Sequence, residues 1–270
     1  MSIVEYQPAA AWQAHIAAYW VRRMPAETGS AGRRVYADGC ADVICNAGNS
    51  TAYYHPMARP DVVIPLQPGV LYLGGTMTAY GVVRSEPGVL FTGIRFRPGG
   101  FYALFRQTME PAVDTVVEFP DEALRLAMQT EEGLAARLDH WFDRRPEPSP
   151  RLGRYDFSFL RGLVDGSGGQ ISVDDLAREA HVSNRTLERI FKENVGIPPK
   201  EFLRIVRFQE VFKRLRNADA LEEESLLRVA YDLGYYDHAH LTNEFKKYAG
   251  ILPSELSHFY KTGIAGGRYF

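Results

Sequence analysis

Two periodicities divide the chain. From residue 19 to residue 97, apolar positions come in short runs or alternate with polar ones. The runs are Tyr19–Arg22, Arg33–Tyr36, Asp42–Cys45, Asp61–Ile64, Val70–Gly74, Tyr80–Arg84 and Val89–Arg97. Gly, Pro, Asn and Asp separate them, and their spacing of about 8–14 residues predicts an antiparallel β-sandwich or barrel. Helical spacing follows. Phe101, Leu104 and Phe105 form one stripe, and Leu134, Leu138, Trp141 and Phe142 form another. Pro146, Pro148 and Pro150 then exclude helix and favour an extended spacer. The reading is a domain over 1–145, a linker over 146–153 and a second domain over 154–262. The fold class is α+β: a mainly antiparallel β domain with helices, cupin-like as one form of barrel, followed by an all-α domain.

Beyond the linker, nearly every segment reads as helix. Tyr155–Val164 is followed by a break at Gly166-Ser167-Gly168-Gly169, and Ser172 stands as an N-cap with Asp174 and Asp175 in the first turn. A pattern then occurs twice. Leu187, Phe191, Lys192, Gly196, Ile197 and Pro199 recur as Leu241, Phe245, Lys246, Gly250, Ile251 and Pro253, at an offset of roughly 54 residues. In the first copy a short helix, Val173–Ala180, places small Ala177 where a second helix can cross closely. His181-Val182 turns, Ser183 caps, and a helix over 184–195 buries Leu187, Ile190 and Phe191. In the second copy Leu226–Leu233 supports, Gly234-Tyr235-Tyr236 turns, Asp237 caps, and a helix over 238–248 buries Leu241, Phe245 and Tyr248. The second turn is one residue longer, because Ala230 lies one position further from Phe245 than Ala177 lies from Phe191. Each copy has the helix-turn-helix layout. Between them Pro199 opens a helix to about Leu215. At 1.5 Å per residue it spans ~25 Å, enough with the helix ends to set two reading heads about one DNA turn (~34 Å) apart.

Charge neither supports nor opposes this strongly. The formal net charge is −2. The residues from 151 onward carry roughly 18 Lys/Arg against roughly 17 Asp/Glu, so DNA affinity requires cations gathered on one face. The opening residues lack the charged-then-apolar pattern of a secretory signal, and no apolar run reaches the ~18 residues of a membrane span. There are two cysteines, Cys40 and Cys45, which suits reduced thiols rather than a disulfide framework. The expectation is a cytoplasmic protein with no membrane partner.

The segments ISVDDLAREAHVSNRTLERIFKENVGIPPKEFL and VAYDLGYYDHAHLTNEFKKYAGILPSEL resemble the DNA-binding domain of the AraC family of bacterial regulators. The resemblance implies a transcription factor whose partner is double-stranded DNA and whose second helices read bases. Carried over by position, Arg185, Glu188 and Arg189 form the first reader, and His238, Ala239, Thr242 and Asn243 the second. An Arg at 189 can pair with guanine O6/N7, an Asn at 243 with adenine, and Ala239 can touch only a thymine methyl. Lys192 and Lys246 suit phosphate. The plainer alternative for the first helix is surface pairing of Glu188 with Arg185 or Arg189.

The resemblance also implies an N-terminal domain that senses a small molecule or dimerises, with RNA polymerase a further partner of an activator. Residues Arg34–Ile44 and Gly93–Gly100 resemble an uncharacterised N-terminal domain found in many such regulators. Pocket candidates are Trp20, Tyr36, Asp38, Tyr72, Arg95 and Arg97, with a carboxylate or phosphate effector near the two arginines and the following helix start. Core packing is the competing role for Trp20 and Tyr36, and a turn for Asp38-Gly39. Cys40, Cys45 and His55 lack zinc-site spacing, so no metal or cofactor is expected. Neither is catalysis. An Ada-like repair enzyme needs a four-cysteine cluster, and the residues around Cys40, Asp38-Gly39-Cys40-Ala41-Asp42, have no nucleophile-elbow pattern. An effector-independent protein with a purely dimerising N-terminus is the remaining alternative.

Overall fold

The computed structural model describes residues 3–24, 32–145, 157–216 and 223–256; the expected linker lies outside them. Alternation produces two antiparallel sheets. The strands are β1 (Val4–Tyr6), β2 (Ile16–Arg23), β3 (Arg33–Val35), β4 (Ala41–Asn46), β5 (Ala52–Pro56), β6 (Ile64–Leu66), β7 (Leu71–Gly74), β8 (Gly81–Ser85), β9 (Leu90–Phe96) and β10 (Val116–Glu118). One sheet runs β1-β2-β9-β4-β7-β10 and the other β3-β8-β5-β6. Their facing sides share a core of Trp20, Tyr72 and Phe91 from the larger sheet and Ala52, Tyr54 and Leu66 from the smaller. Gly93 is required there, since a Cβ on it would lie 2.0 Å from the Trp20 ring. The outer face of the larger sheet carries the opposite alternation, Tyr19, Val43 and Ile94. It is covered by α1 (Gly100–Phe105), α2 (Glu122–Met128) and α3 (Leu134–Asp143), through Phe101, Leu124, Leu138 and Phe142.

Three strands lie outside the sequence expectation: β1, β5 and β10. Strands β1 and β10 have three residues each and pair at the sheet edges, too short for alternation to register. The run expected from Asp61 pairs only from Ile64, and Pro65 is accommodated because β6 is an edge strand.

The C-terminal domain contains α4 (Phe157–Gly166), α5 (Val173–Glu179), α6 (Asn184–Val195), α7 (Pro199–Arg216), α8 (Glu223–Asp232) and α9 (His238–Ala249). The expected caps form. Ser172 Oγ accepts from Asp175 N–H at 3.0 Å, Ser183 Oγ from Thr186 N–H at 3.2 Å, and Asp237 Oδ1 from His240 N–H at 2.7 Å. Gly196 ends α6 in the left-handed region. Helix α7 is buried on several sides at once, through Phe202, Leu203, Ile205, Phe208, Gln209, Val211, Phe212 and Leu215. It is the shared spine, with Phe191 packed on Phe202 and Phe245 packed on Phe208 and Phe212.

Candidate nucleic-acid interface

The apolar stripe of α6 faces the spine, so its polar side is turned to solvent. Arg185, Glu188, Arg189 and Lys192 are all exposed. Arg189 Nε lies 3.8 Å from Glu193 Oε1, an i,i+4 pair that leaves the guanidinium largely in water. The start of α6 is tied to its supporting helix by a 2.6 Å bond from Asn184 Nδ2 to Asp174 Oδ1.

Helix α9 is arranged differently. Ala239, Asn243 and Lys246 are exposed and His238 is half-buried. Thr242 departs from the expected exposure: it is half-buried, and its hydroxyl oxygen is shielded without a hydrogen-bond partner among the described residues. Glu244 turns toward α7, meeting Arg204 Nε at 3.3 Å, and it meets His240 Nε2 of its own helix at 3.6 Å. On the same side Tyr248 OH donates to Glu201 Oε1 at 3.0 Å, and Lys247 pairs with Glu201. Arg204 and Lys247 therefore neutralise the protein's own carboxylates. Lys192 and Lys246 point elsewhere and stay exposed.

The longer second turn has a visible consequence. Val182 N–H bonds the Ala177 carbonyl at 3.0 Å, and Tyr235 N–H bonds the Ala230 carbonyl at 2.9 Å. Val182 and Tyr235 are thus equivalent. Val182 precedes its cap directly, whereas Tyr236 stands between Tyr235 and Asp237. The extra residue is Tyr236, 85% exposed just before the start of α9. The one-residue difference in spacing signalled an insertion, but only the hydrogen bonds identify which residue it is.

The effector candidates do not form one pocket. Trp20, Asp38 and Arg95 do meet, around Asp42. Trp20 Nε1 donates to Asp42 Oδ1 at 2.9 Å, and Arg95 Nε to the same oxygen at 3.0 Å. Arg95 Nη1 lies 3.1 Å from Asp38 Oδ2. Burial pulls the Arg95 pKa down, but Asp42 and Asp38 outweigh it and raise it. Two carboxylates already match this guanidinium, so it does not present an unneutralised charge to an anion. Tyr36 is displaced from expectation altogether: it belongs to the C-terminal core, its ring 5.4 Å from that of Phe212. The Tyr72 hydroxyl donates to the Pro65 carbonyl at 3.2 Å and accepts from Gln67 N–H at 2.8 Å. Arg97 Nε donates to the Gln13 carbonyl at 2.8 Å, and the Gly100 N–H at the start of α1 donates to the Arg97 carbonyl at 2.7 Å. That helix start is therefore already occupied in part by its own loop.

Comparison with known proteins agrees with this architecture. A helix-turn-helix domain model matches residues 176–258, and a domain of unknown function (DUF6597) matches residues 4–118. The chain is 27% identical over 119 residues to the HTH-type transcriptional activator RhaS of Pectobacterium atrosepticum, covering 44% of this chain and 40% of that one. It is 28% identical over 90 residues to the lactose operon transcription activator of Staphylococcus xylosus, covering 33% and 31%. The alignments span less than half the length of these relatives. A crystal structure of ToxT from Vibrio cholerae superposes with a TM-score of 0.50 at 13% identity, covering 92% of this chain and 98% of that one, which shows a shared fold. Another ToxT structure, with a TM-score of 0.50 and 12% identity, holds (E)-4-(8-methylnaphthalen-1-yl)but-3-enoic acid. Two capped helix-turn-helix units on one spine, with the matching domain model over them, make the C-terminal domain an AraC-type helix-turn-helix domain, and it follows an N-terminal domain of unknown function.

Proposed function

We propose that this chain is a transcriptional regulator that reads two successive major-groove segments with α6 and α9. The observation that carries it is the pair of capped amphipathic helices, both seated on α7 by their apolar sides. Their outer sides hold Arg185, Arg189 and Lys192 in one case and Asn243 and Lys246 in the other. Arg189 suits a guanine edge and Asn243 an adenine edge, while the two lysines suit phosphate. Glu188, His238 and Ala239 complete the reading faces. Tyr236 adds an exposed phenol at the second groove, suited to phosphate or a thymine methyl. Thr242, half-buried, is the least available of this second set.

The N-terminal domain, over 1–145, is proposed as the sensing part. The ToxT structure with a bound carboxylic acid supports that role for the shared fold. The neutralised state of Arg95 directs the search beyond simple anions. RNA polymerase and a second copy of the chain are the further partners this reading allows, and its site of action is the cytoplasm.

Selection of duplexes from a random library by the purified chain tests the reading. A recovered motif with two unlike half-sites about one helical turn apart supports it. Salt-dependent binding with no sequence preference would refute it.

A further inference from the structure

The second reading helix is completed by the other domain. A helix leaves its last carbonyls without intrahelical partners. At the end of α9, the Lys247 carbonyl accepts from Tyr80 N–H at 3.2 Å, and the Tyr248 carbonyl from Ala37 N–H at 3.3 Å. Both donors lie in the N-terminal domain. The Ala37 carbonyl in turn accepts from Gln209 Nε2 on α7. One residue of the N-terminal domain therefore bridges the spine and the second reading helix.

The surrounding packing fixes this bridge. Tyr36 and Ala37 are buried in the C-terminal core. Gly39 adopts φ +75°, and a Cβ there would lie 2.9 Å from the Phe202 ring. The Tyr80 ring lies so close to Gly250, the C-cap of α9, that a Cβ there would fall 2.5 Å from it. Residues 36–39 thus occupy the angle between α7 and α9. Their other end is anchored in the β-sandwich, where Asp38 is held by Arg95, which also holds Asp42 beside Trp20.

We propose that Ala37, Gly39, Tyr80 and Gln209 are positioning residues that set the angle of α9 on α7, so that the N-terminal domain decides whether both reading heads fit one duplex. This rests on the DNA-reading function proposed above. The physical route from the sandwich interior to α9 is short: Trp20, Asp42, Arg95, Asp38, then the Ala37 backbone. Whatever draws Arg95 away from Asp38 loosens the loop that finishes the second reader, whereas the first meets the N-terminal domain elsewhere, with Gly196 set against Met109 and Val113.

The test uses the full chain and Gln209→Met. The Gln209 amide oxygen has no hydrogen-bond partner among the described residues, so a thioether of similar size removes the bridge without stranding a partner of that oxygen. Asp38→Asn releases the same loop from Arg95 at its other end. Hydrogen exchange is read over α6 and α9, and affinity is read on two probes. One is the duplex selected by the wild-type chain, and the other is that duplex with its second half-site scrambled. Faster exchange in α9 alone is expected, with a loss of about tenfold on the intact duplex and little change on the scrambled one. Unchanged α9 exchange in both variants, or equal losses on both duplexes, would overturn the proposal. A wild-type chain that selects no duplex would instead refute the DNA-reading function, with α9 exchange still deciding whether the loop positions the helix.

Discussion

Replacing Arg95 by Met tests the charge cluster that anchors the loop beneath α9. The side chains of Arg95, Asp38 and Asp42 are 14%, 14% and 15% exposed, so water screens them little. Removing one partner of a buried pair costs about 3–5 kcal/mol, because the other charge stays buried without compensation. Here two carboxylates would be stranded. Each keeps one neutral donor, Trp20 Nε1 for Asp42 and the Cys40 N–H for Asp38, and Met preserves the packing of the arginine stem. The expected loss is therefore about 3 kcal/mol, a large share of the roughly 5–15 kcal/mol that holds a domain folded.

The pH dependence has a definite sign. Burial already raises the Asp38 pKa against the pull of Arg95, and losing Arg95 raises it further. A carboxyl with a raised folded-state pKa binds more protons folded than unfolded, so its stabilising contribution is present at low pH and lost as pH rises through the folded value. Urea unfolding should accordingly show a larger deficit for Arg95→Met at neutral pH than near about pH 5. The triple variant Asp38→Asn, Asp42→Asn, Arg95→Met should lose less than Arg95→Met alone. A loss below about 1 kcal/mol, as for an exposed pair, or a triple variant no better than the single one, would refute the reasoning.

Arg189→Ala should cost about 1–3 kcal/mol on the selected duplex and relax preference at one base, whereas Lys246→Ala should weaken all sequences alike and flatten the salt dependence. Equal losses of Arg189→Ala on specific and random DNA would remove it as a base reader. His181 adopts φ +52° in the first turn, so His181→Gly should stabilise by about 1 kcal/mol in thermal unfolding, and a lowered Tm would contradict that. Burial pushes the Cys45 thiol up to about 11. Burial and then the Asp38 carboxylate push Cys40 well above its ordinary value. Cys45, which is buried, should not react with a thiol reagent at neutral pH before unfolding, and its rapid labelling in the folded chain would contradict that.

Local chemistry made much of the C-terminal domain legible. Ser172, Ser183 and Asp237 cap because their short side chains reach the first free N–H groups, and Gly196 and Gly250 close their helices because the left-handed region costs glycine little. The stripes of Leu187, Ile190 and Phe191 and of Leu241, Phe245 and Tyr248 read as buried, and they are. Most N-terminal strands with several alternating residues were visible, although β5 was missed despite alternating over its five residues. Others were hidden where a three-residue edge strand such as β1 or β10 draws its order from its partner.

What the sequence determined by itself is every feature set by neighbours a few residues apart: helix periods, caps, turns, and the repeat that builds two helix-turn-helix units on one spine. What only the tertiary structure decided is where long-range partners redirect a side chain. Tyr36, which reads as part of the β domain, lies in the core of the other domain because Phe212 receives it. Arg95 turns from an anion site into the centre of an ion-pair cluster because Asp38 and Asp42 converge on it. The end of α9 is finished by Ala37 and Tyr80, which lie far from it along the chain. No local pattern encodes those meetings, since they depend on how the β-sandwich and the helical domain pack together.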